Sequence, residues 1–187
     1  MHFRILVAAL ALAAGRELAL AQDDGVWTTA SGGSWAGTGN WLDGIIADGT
    51  DSTATFGFSL FPINTSATFT LNGARTIGNL TLTAQTTPAN WSLNPGSGGP
   101  LTLATTFDFP AVTVNPAGLQ FALNPLIAGT DGLEKFGAGT LLLTAPDTYT
   151  GGTVLSPNSE AGMVAHAGRV RSQKPSSRRD SNFGVRV

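Results

Sequence analysis

The feature that most constrains this chain is a short alternation of apolar residues with threonine or another small residue, which recurs between Gln22 and Leu155. Such alternation is typical of a β-strand, because successive side chains point to opposite faces. Glycine, proline, asparagine or aspartate bounds each segment, and no window longer than ten residues in this region has a helical period. The sequence therefore predicts an all-β protein. Strands are expected within residues 52–58, 67–71, 79–83, 90–94, 101–107, 111–115, 119–124 and 140–144.

Two architectures fit this strand spacing, a sandwich of antiparallel strands and a solenoid with one short strand per face of each coil. The chain contains 24 glycines and 24 threonines, and small residues occupy many strand positions where a sandwich needs bulky ones. Asparagines at strand ends would stack between coils as ladders, namely Asn72, Asn79, Asn94, Asn115 and Asn124. We therefore expect a right-handed parallel β-helix. At roughly 20–25 residues per coil, residues 22–156 would form about six coils.

The charge distribution limits the classes of partner. Charged residues make up 12% of the chain, about half the share that is typical of soluble domains. Residues 22–156 carry a net charge of −7, whereas residues 157–187 carry +4. Because binding to nucleic acid needs clustered lysine and arginine, the acidic body is not expected to bind it. The absence of cysteine excludes disulfides and thiolate metal sites.

The first 21 residues resemble an export signal. Arg4 precedes an apolar run over residues 5–15, and Ala19-Leu20-Ala21 is a small-x-small cleavage site. A buried core helix is the alternative interpretation. The run is too short for a membrane span, so we expect a mature chain without a transmembrane segment, secreted or located at the cell surface.

Residues 157–187 have no evident strand pattern, and we expect them to be a basic, disordered tail. Either this tail contacts the anionic envelope, or the reading frame shifts near Ser156 and truncates a longer repeat protein. In the second case an uncapped solenoid end would favour self-association.

Residues 132–155 carry one clear repeat, which reads GLEKFGAGTLLLTAPDTYTGGTVL. This segment resembles the autotransporter-associated β-strand repeat of bacterial surface passengers. The departures from the repeat are Phe136 and Asp147. The matching positions that define its structure are Gly137, Gly139, Thr140, Tyr149, Gly151 and Gly152. The resemblance implies an exported structural or adhesive surface protein, with surface glycans or other envelope components as partners.

The physical chemistry of the repeat predicts its local structure. Gly137 and Gly139 are expected to have positive φ just before a strand. Leu141 and Leu143 share one side of that strand and should point into the solenoid. Residues 148–150 are expected to form the next strand, and Gly151-Gly152 the next corner. An ordinary hairpin with glycine turns is the alternative.

The sequence offers little for catalysis. Both histidines, His2 and His166, lie outside residues 22–156, so that region holds neither a Ser-His-Asp triad nor an imidazole metal site. Paired carboxylates remain as candidates for glycoside chemistry, and Arg75 and Lys135 are the basic residues of the body. Aspartate beside glycine or serine usually serves turns, and we expect no enzyme, cofactor or metal here. The candidate carboxylates are Asp43, Asp48, Asp51, Asp108 and Asp131.

Tryptophans provide the remaining candidate site. Trp35 and Trp41 are candidates for stacking on sugar rings, which would make the chain a carbohydrate-binding or carbohydrate-active module. The alternative is that Trp27, Trp35 and Trp41 cap the open N-terminal end of the solenoid. Two function classes therefore remain open, a structural or adhesive surface protein and a carbohydrate-directed module.

Overall fold

The chain winds so that each strand pairs with the strand one turn later. The computed structural model describes residues 22–84, 88–156 and 164–166, so the expected signal and most of the expected tail lie outside the described residues. Two short 3-10 helices are present in this part, Thr38–Asn40 and Leu42–Gly44. The strands are β1 Gly25–Val26, β2 Gly33–Ser34, β3 Thr53–Phe56, β4 Ala67–Thr70, β5 Arg75–Ile77, β6 Asn79–Thr83, β7 Ala89–Asn94, β8 Leu101–Leu103, β9 Ala111–Asn115, β10 Leu119–Leu123, β11 Ile127–Ala128, β12 Leu133–Phe136, β13 Thr140–Leu143, β14 Thr153–Leu155 and β15 Val164–His166.

These strands form three sheets, which we number by the order in which the chain enters them. Sheet 1 has the order β1-β3-β6-β9-β12-β14, sheet 2 the order β2-β4-β7-β10-β13-β15, and sheet 3 the order β5-β8-β11. Every pairing between these strands is parallel. The all-β solenoid is confirmed, and the sandwich alternative is wrong. The right hand and the count of about six coils stay predictions.

The core is built from rows of inward-facing residues in register. On sheet 2, Trp91 pairs with Ala67 and Phe121, and Leu141 follows Phe121. All four side chains are buried. Burying one large apolar side chain contributes about 1.5–3 kcal/mol, so every added coil extends the core by several such contributions.

The N-terminal end is closed by a segment that runs against β1. Trp41 and Asp48 form antiparallel bridges to Trp27 and Asp23, the residues that flank β1. The bridges lie along the edge of β1 that does not pair with β3. A Cβ at Gly25 would lie 2.6 Å from the backbone nitrogen of Ala47, so the close approach requires glycine. We call residues 38–48 the cap segment, because they cover the strand edge that would otherwise be free.

Two sequence predictions need correction. Residues 148–150 were predicted as a strand but do not form one. Their backbone still bonds to the previous coil, since the N–H groups of Thr148 and Thr150 donate to the carbonyls of Ile127 and Gly129. No strand forms here because the Asp147 carboxylate accepts the backbone N–H of Ile127 at 3.0 Å, in place of a backbone carbonyl. The strand Val164–His166 pairs with β13, so the expectation of disorder over residues 157–187 is wrong for these three. Among the described residues, no helix is long and apolar enough to cross a bilayer.

Candidate functional site

The repeat glycines have two different roles. Gly137 has φ +79, as predicted, and permits the corner before β13. Gly139 does not have positive φ, and that expectation is wrong. A Cβ at Gly139 would lie 2.6 Å from Val114 Cγ1 and 2.8 Å from the Leu119 carbonyl oxygen. Glycine is therefore required at 139 by the close approach of neighbouring backbone.

The second half of the repeat forms a corner that stacks on the previous coil. Gly152 has φ +85, whereas a Cβ at Gly151 would overlap the backbone of Gly132. The Tyr149 hydroxyl lies 2.6 Å from Thr153 Oγ1, and burial raises the pKa of Tyr149 above its ordinary value. Thr140 is partly exposed on the outer face of β13. The repeat residues thus serve the winding of the chain.

The tryptophans pack inside the solenoid. Trp35 is 0% exposed and Trp41 is 3% exposed, and their ring centroids lie 5.1 Å apart. The Trp41 indole nitrogen donates to the Trp35 carbonyl at 2.7 Å, and the Trp35 indole nitrogen donates to the Ala47 carbonyl at 3.1 Å. Buried rings have no face open to a pyranose. The geometry therefore favours the cap and speaks against sugar stacking at Trp35 and Trp41.

The candidate carboxylates bind backbone at the corners of the coils. Asp48 accepts the backbone N–H of Thr76 at 2.9 Å and forms an ion pair with Arg75 at 2.8 Å. Asp51 accepts both the hydroxyl and the backbone N–H of Thr106. These bonds, the hydroxyl first, hold the pKa of Asp51 below its ordinary value. They connect one coil to another, because the bonded residues are 28 and 55 positions apart in the sequence.

The remaining carboxylates do not complete a catalytic pair with these two. Asp131 accepts the backbone N–H of Thr105 at 3.1 Å. Asp43 and Asp108 are exposed, and the first has φ 53 within a 3-10 helix. Within the described part of the chain, no group of three or more acidic or histidine side chains is placed to hold a metal. Coil-to-coil bonding therefore accounts for Asp48, Asp51 and Asp131.

Lys135 occupies a position that the sequence did not lead us to expect. It lies on the same face of β12 as the buried Leu133 and aligns with Val112 of β9, so it belongs to the inner row of sheet 1. Its Nζ donates to the carbonyl oxygens of Gly137 at 2.6 Å and Phe136 at 3.3 Å. Burial lowers the pKa of Lys135 to about 8. An amine enclosed in this way is not presented to a substrate.

The outer faces of sheets 1 and 2 differ in how their polar side chains are used. On sheet 2, the outward Ser92 hydroxyl donates to Thr68 Oγ1 at 3.4 Å. At the carboxyl ends of the strands of the same sheet, Asn124 donates to Asn94 at 2.6 Å and accepts from Thr144 at 2.6 Å. These bonds confirm the predicted ladder at Asn94 and Asn124. On sheet 1, Asn79 and Asn115 take no part in such bonds within the described residues. We call the outward side chains of β3, β6 and β9 the threonine face, which comprises Thr53, Thr55, Asn79, Thr81, Thr83, Ala111, Thr113 and Asn115.

Comparison with known proteins gives one informative relative. The adhesin BmaC autotransporter of Brucella suis biovar 1 (strain 1330) is 33% identical to the chain over 151 residues. This similarity relates the chain to an autotransporter adhesin. The match covers 78% of the chain but 4% of that adhesin. No family model and no solved structure matches the chain, so membership of the autotransporter-associated repeat family stays a prediction.

Proposed function

We propose that the chain is an adhesive segment of a bacterial surface protein of the autotransporter passenger type. The observation that carries this proposal is the match of most of the chain to an autotransporter adhesin, on a fold of stacked parallel coils. A solenoid adds length in equal steps and presents long flat faces to its surroundings. Both properties suit a protein that reaches from a cell surface and holds a partner.

The chemistry of the body supports an adhesive role rather than a catalytic one. Asp48 and Asp51 bond to backbone at the corners, and Lys135 is enclosed in the core. These groups maintain the rod, and the outer sheet faces are left for binding. Residues 1–21 would direct export, and the basic tail over residues 157–187 would contact the envelope.

Surface display tests the proposal. The chain is fused to a heterologous autotransporter barrel and displayed on a bacterium that does not attach to the chosen surfaces. We expect attachment to cultured cells or to polysaccharide-coated plates to rise several-fold over an empty barrel. A displayed Gly139→Val variant is the control for folding, because it should lose attachment together with protease resistance. Folded, surface-exposed protein without any gain in attachment would contradict the adhesive role.

A further inference from the structure

We infer that the threonine face of sheet 1 binds an extended, uncharged polysaccharide that lies along the axis of the solenoid. The inference rests on the adhesive function proposed above and names its ligand class. The threonine face replaces Trp35 and Trp41 as the carbohydrate-binding candidate. The two tryptophans are buried, whereas the threonines are partly exposed on the outside of the solenoid.

The face is a regular grid of hydroxyl groups. Thr55, Thr81 and Thr113 stand in register on three successive parallel strands. Thr53 and Thr83 lie two residues from the first two of these, on the same outer face. Strands are spaced by about 4.8 Å, and side chains two residues apart on one strand by roughly 6.6 Å. The grid is therefore a property of the backbone and does not depend on flexible loops.

The hydroxyl groups of this grid are free to bind. Within the described residues, the side chains of the five threonines in the grid have no hydrogen-bond partner in the protein. On sheet 2, by contrast, the outward Ser92 hydroxyl donates to Thr68 Oγ1 at 3.4 Å on the neighbouring strand. Each threonine hydroxyl provides one donor and two acceptor lone pairs. The contrast shows that ladder bonding is available to this fold and is not used on sheet 1.

Threonine is suited to such a face because its side chain is stiff. The β-branched side chain has few rotamers in a strand, so little conformational entropy is lost when a ligand binds. Its methyl group offers apolar contact beside the hydroxyl. Sugars present the same combination of hydroxyl and C–H groups, which makes the two surfaces complementary.

One aromatic residue extends the central row. Phe136 aligns with Thr113 and is partly exposed on the outer side of β12. It stands where the repeat normally has a small polar residue. A partly exposed ring suits the apolar face of a pyranose, and its quadrupole attracts the polarised C–H groups there. The departure from the repeat therefore adds a sugar contact at the end of the threonine row.

Charge and spacing select the kind of polysaccharide. Residues 22–156 carry a net charge of −7, and Glu134 aligns with Ala111 at one edge of the face. This field repels anionic polymers, and Lys135 is buried and offers no compensating contact. A chain of equatorially linked pyranoses advances per sugar by a distance close to the spacing of strands. Each sugar would thus meet one strand.

The test compares threonine with valine, which has the same shape but no hydroxyl. The full chain and the variant Thr55→Val/Thr81→Val/Thr113→Val are run in affinity gels that contain hydroxyethyl cellulose, soluble chitin or anionic alginate. We expect the neutral polymers to retard the full chain and the triple substitution to weaken binding at least tenfold. Phe136→Ser should weaken binding several-fold.

A matched control is available on sheet 2. Thr68→Val/Thr140→Val changes two outer threonines there and should leave binding unchanged. Thermal midpoints must agree among all variants. Equal binding by the sheet 1 triple variant, no retardation by neutral polymers, or stronger retardation by alginate would overturn the inference. If surface display still gives attachment that is unaffected by the triple substitution, the adhesive function stands and this inference alone fails.

Discussion

At the scale of single residues, the most unusual group is the lysine in the core. Lys135 is fully buried, and the acceptors of its ammonium are two backbone carbonyls. Burial without a carboxylate disfavours the charged form, which is the direction of its pKa shift to about 8 from 10.5. The unfolded chain therefore binds more protons than the folded chain between these values, so stability rises with pH there.

Lys135→Met tests this linkage. We expect the unfolding free energy of the unsubstituted chain to increase between pH 8 and pH 9.5 and that of the methionine variant to change little. At pH 7 the variant should be more stable by about 1–3 kcal/mol, because no ammonium is buried. Urea titrations followed by tryptophan fluorescence measure both. The pH range of the measurement ends below pH 10. Above that value the folded chain keeps the Tyr149 proton that the unfolded chain has lost, because burial raises the pKa of Tyr149, and stability therefore falls with pH. Parallel pH profiles for the two proteins would refute the argument.

The repeat glycines allow steric contact and backbone strain to be separated. An alanine Cβ at Gly139 would press on Val114 and Leu119 without any positive φ, whereas at Gly152 it would meet nothing within 4 Å but have φ +85. We expect Gly139→Ala to cost about 2–3 kcal/mol and Gly152→Ala about 1 kcal/mol. Chemical denaturation of the two variants checks the order. Equal costs would show that contact at Gly139 is relieved by small shifts of its neighbours.

At the scale of elements, the sequence predicted those strands whose alternation spans five residues. Asn79–Thr83 and Ala111–Asn115 were predicted with the bounds that the structure has. In sheet 3, β8 falls within the strand predicted over residues 101–107. The sequence did not predict β5 and β11, because they have three and two residues and alternation is not visible over such lengths. The sequence also did not predict whether Trp35 and Trp41 are buried. An indole ring suits both a cap and a sugar-stacking platform, and the local sequence does not show which elements cover the ring.

The cap segment is an element whose role can be tested by one substitution. Trp41 contacts Trp27, Trp35 and Phe56 with centroid distances of 5.1–5.6 Å. We expect Trp41→Ala to lower the unfolding free energy by about 3–5 kcal/mol and to cause concentration-dependent association by freeing the edge of β1. Leu42→Ala, at a neighbouring residue that is 41% exposed, is the control and should cost less than about 0.5 kcal/mol. Sedimentation velocity at two concentrations would detect the association, and a stable monomeric Trp41→Ala protein would contradict it.

At the scale of the whole molecule, the solenoid has two unlike ends. Aromatic packing and antiparallel bridges close the N-terminal end. Among the residues that the structure describes, β14 is the last strand of sheet 1 and carries Val154 and Leu155, each 40% exposed. In a stack of coils each coil contacts only its neighbours, and an end coil needs a cap to remain soluble. We therefore expect that removing coils from the C-terminal end only reduces stability, whereas removing the capped N-terminal end causes aggregation or unfolding.

Two fragments test this polarity. Residues 22–129 keep the cap segment and strands β1 to β11, and we expect this fragment to retain a β-type circular dichroism spectrum with reduced stability. Residues 49–156 lose the cap and uncover Phe56 and Phe69, which pack against Trp27 at ring centroid distances of 5.2 Å each. This fragment should aggregate or unfold, because the inner row at β3 would meet water. Size-exclusion chromatography and thermal melts of both fragments provide the comparison. If 49–156 folds as a monomer while 22–129 does not, the stabilising contacts are concentrated in the later coils, and the cap is dispensable for folding.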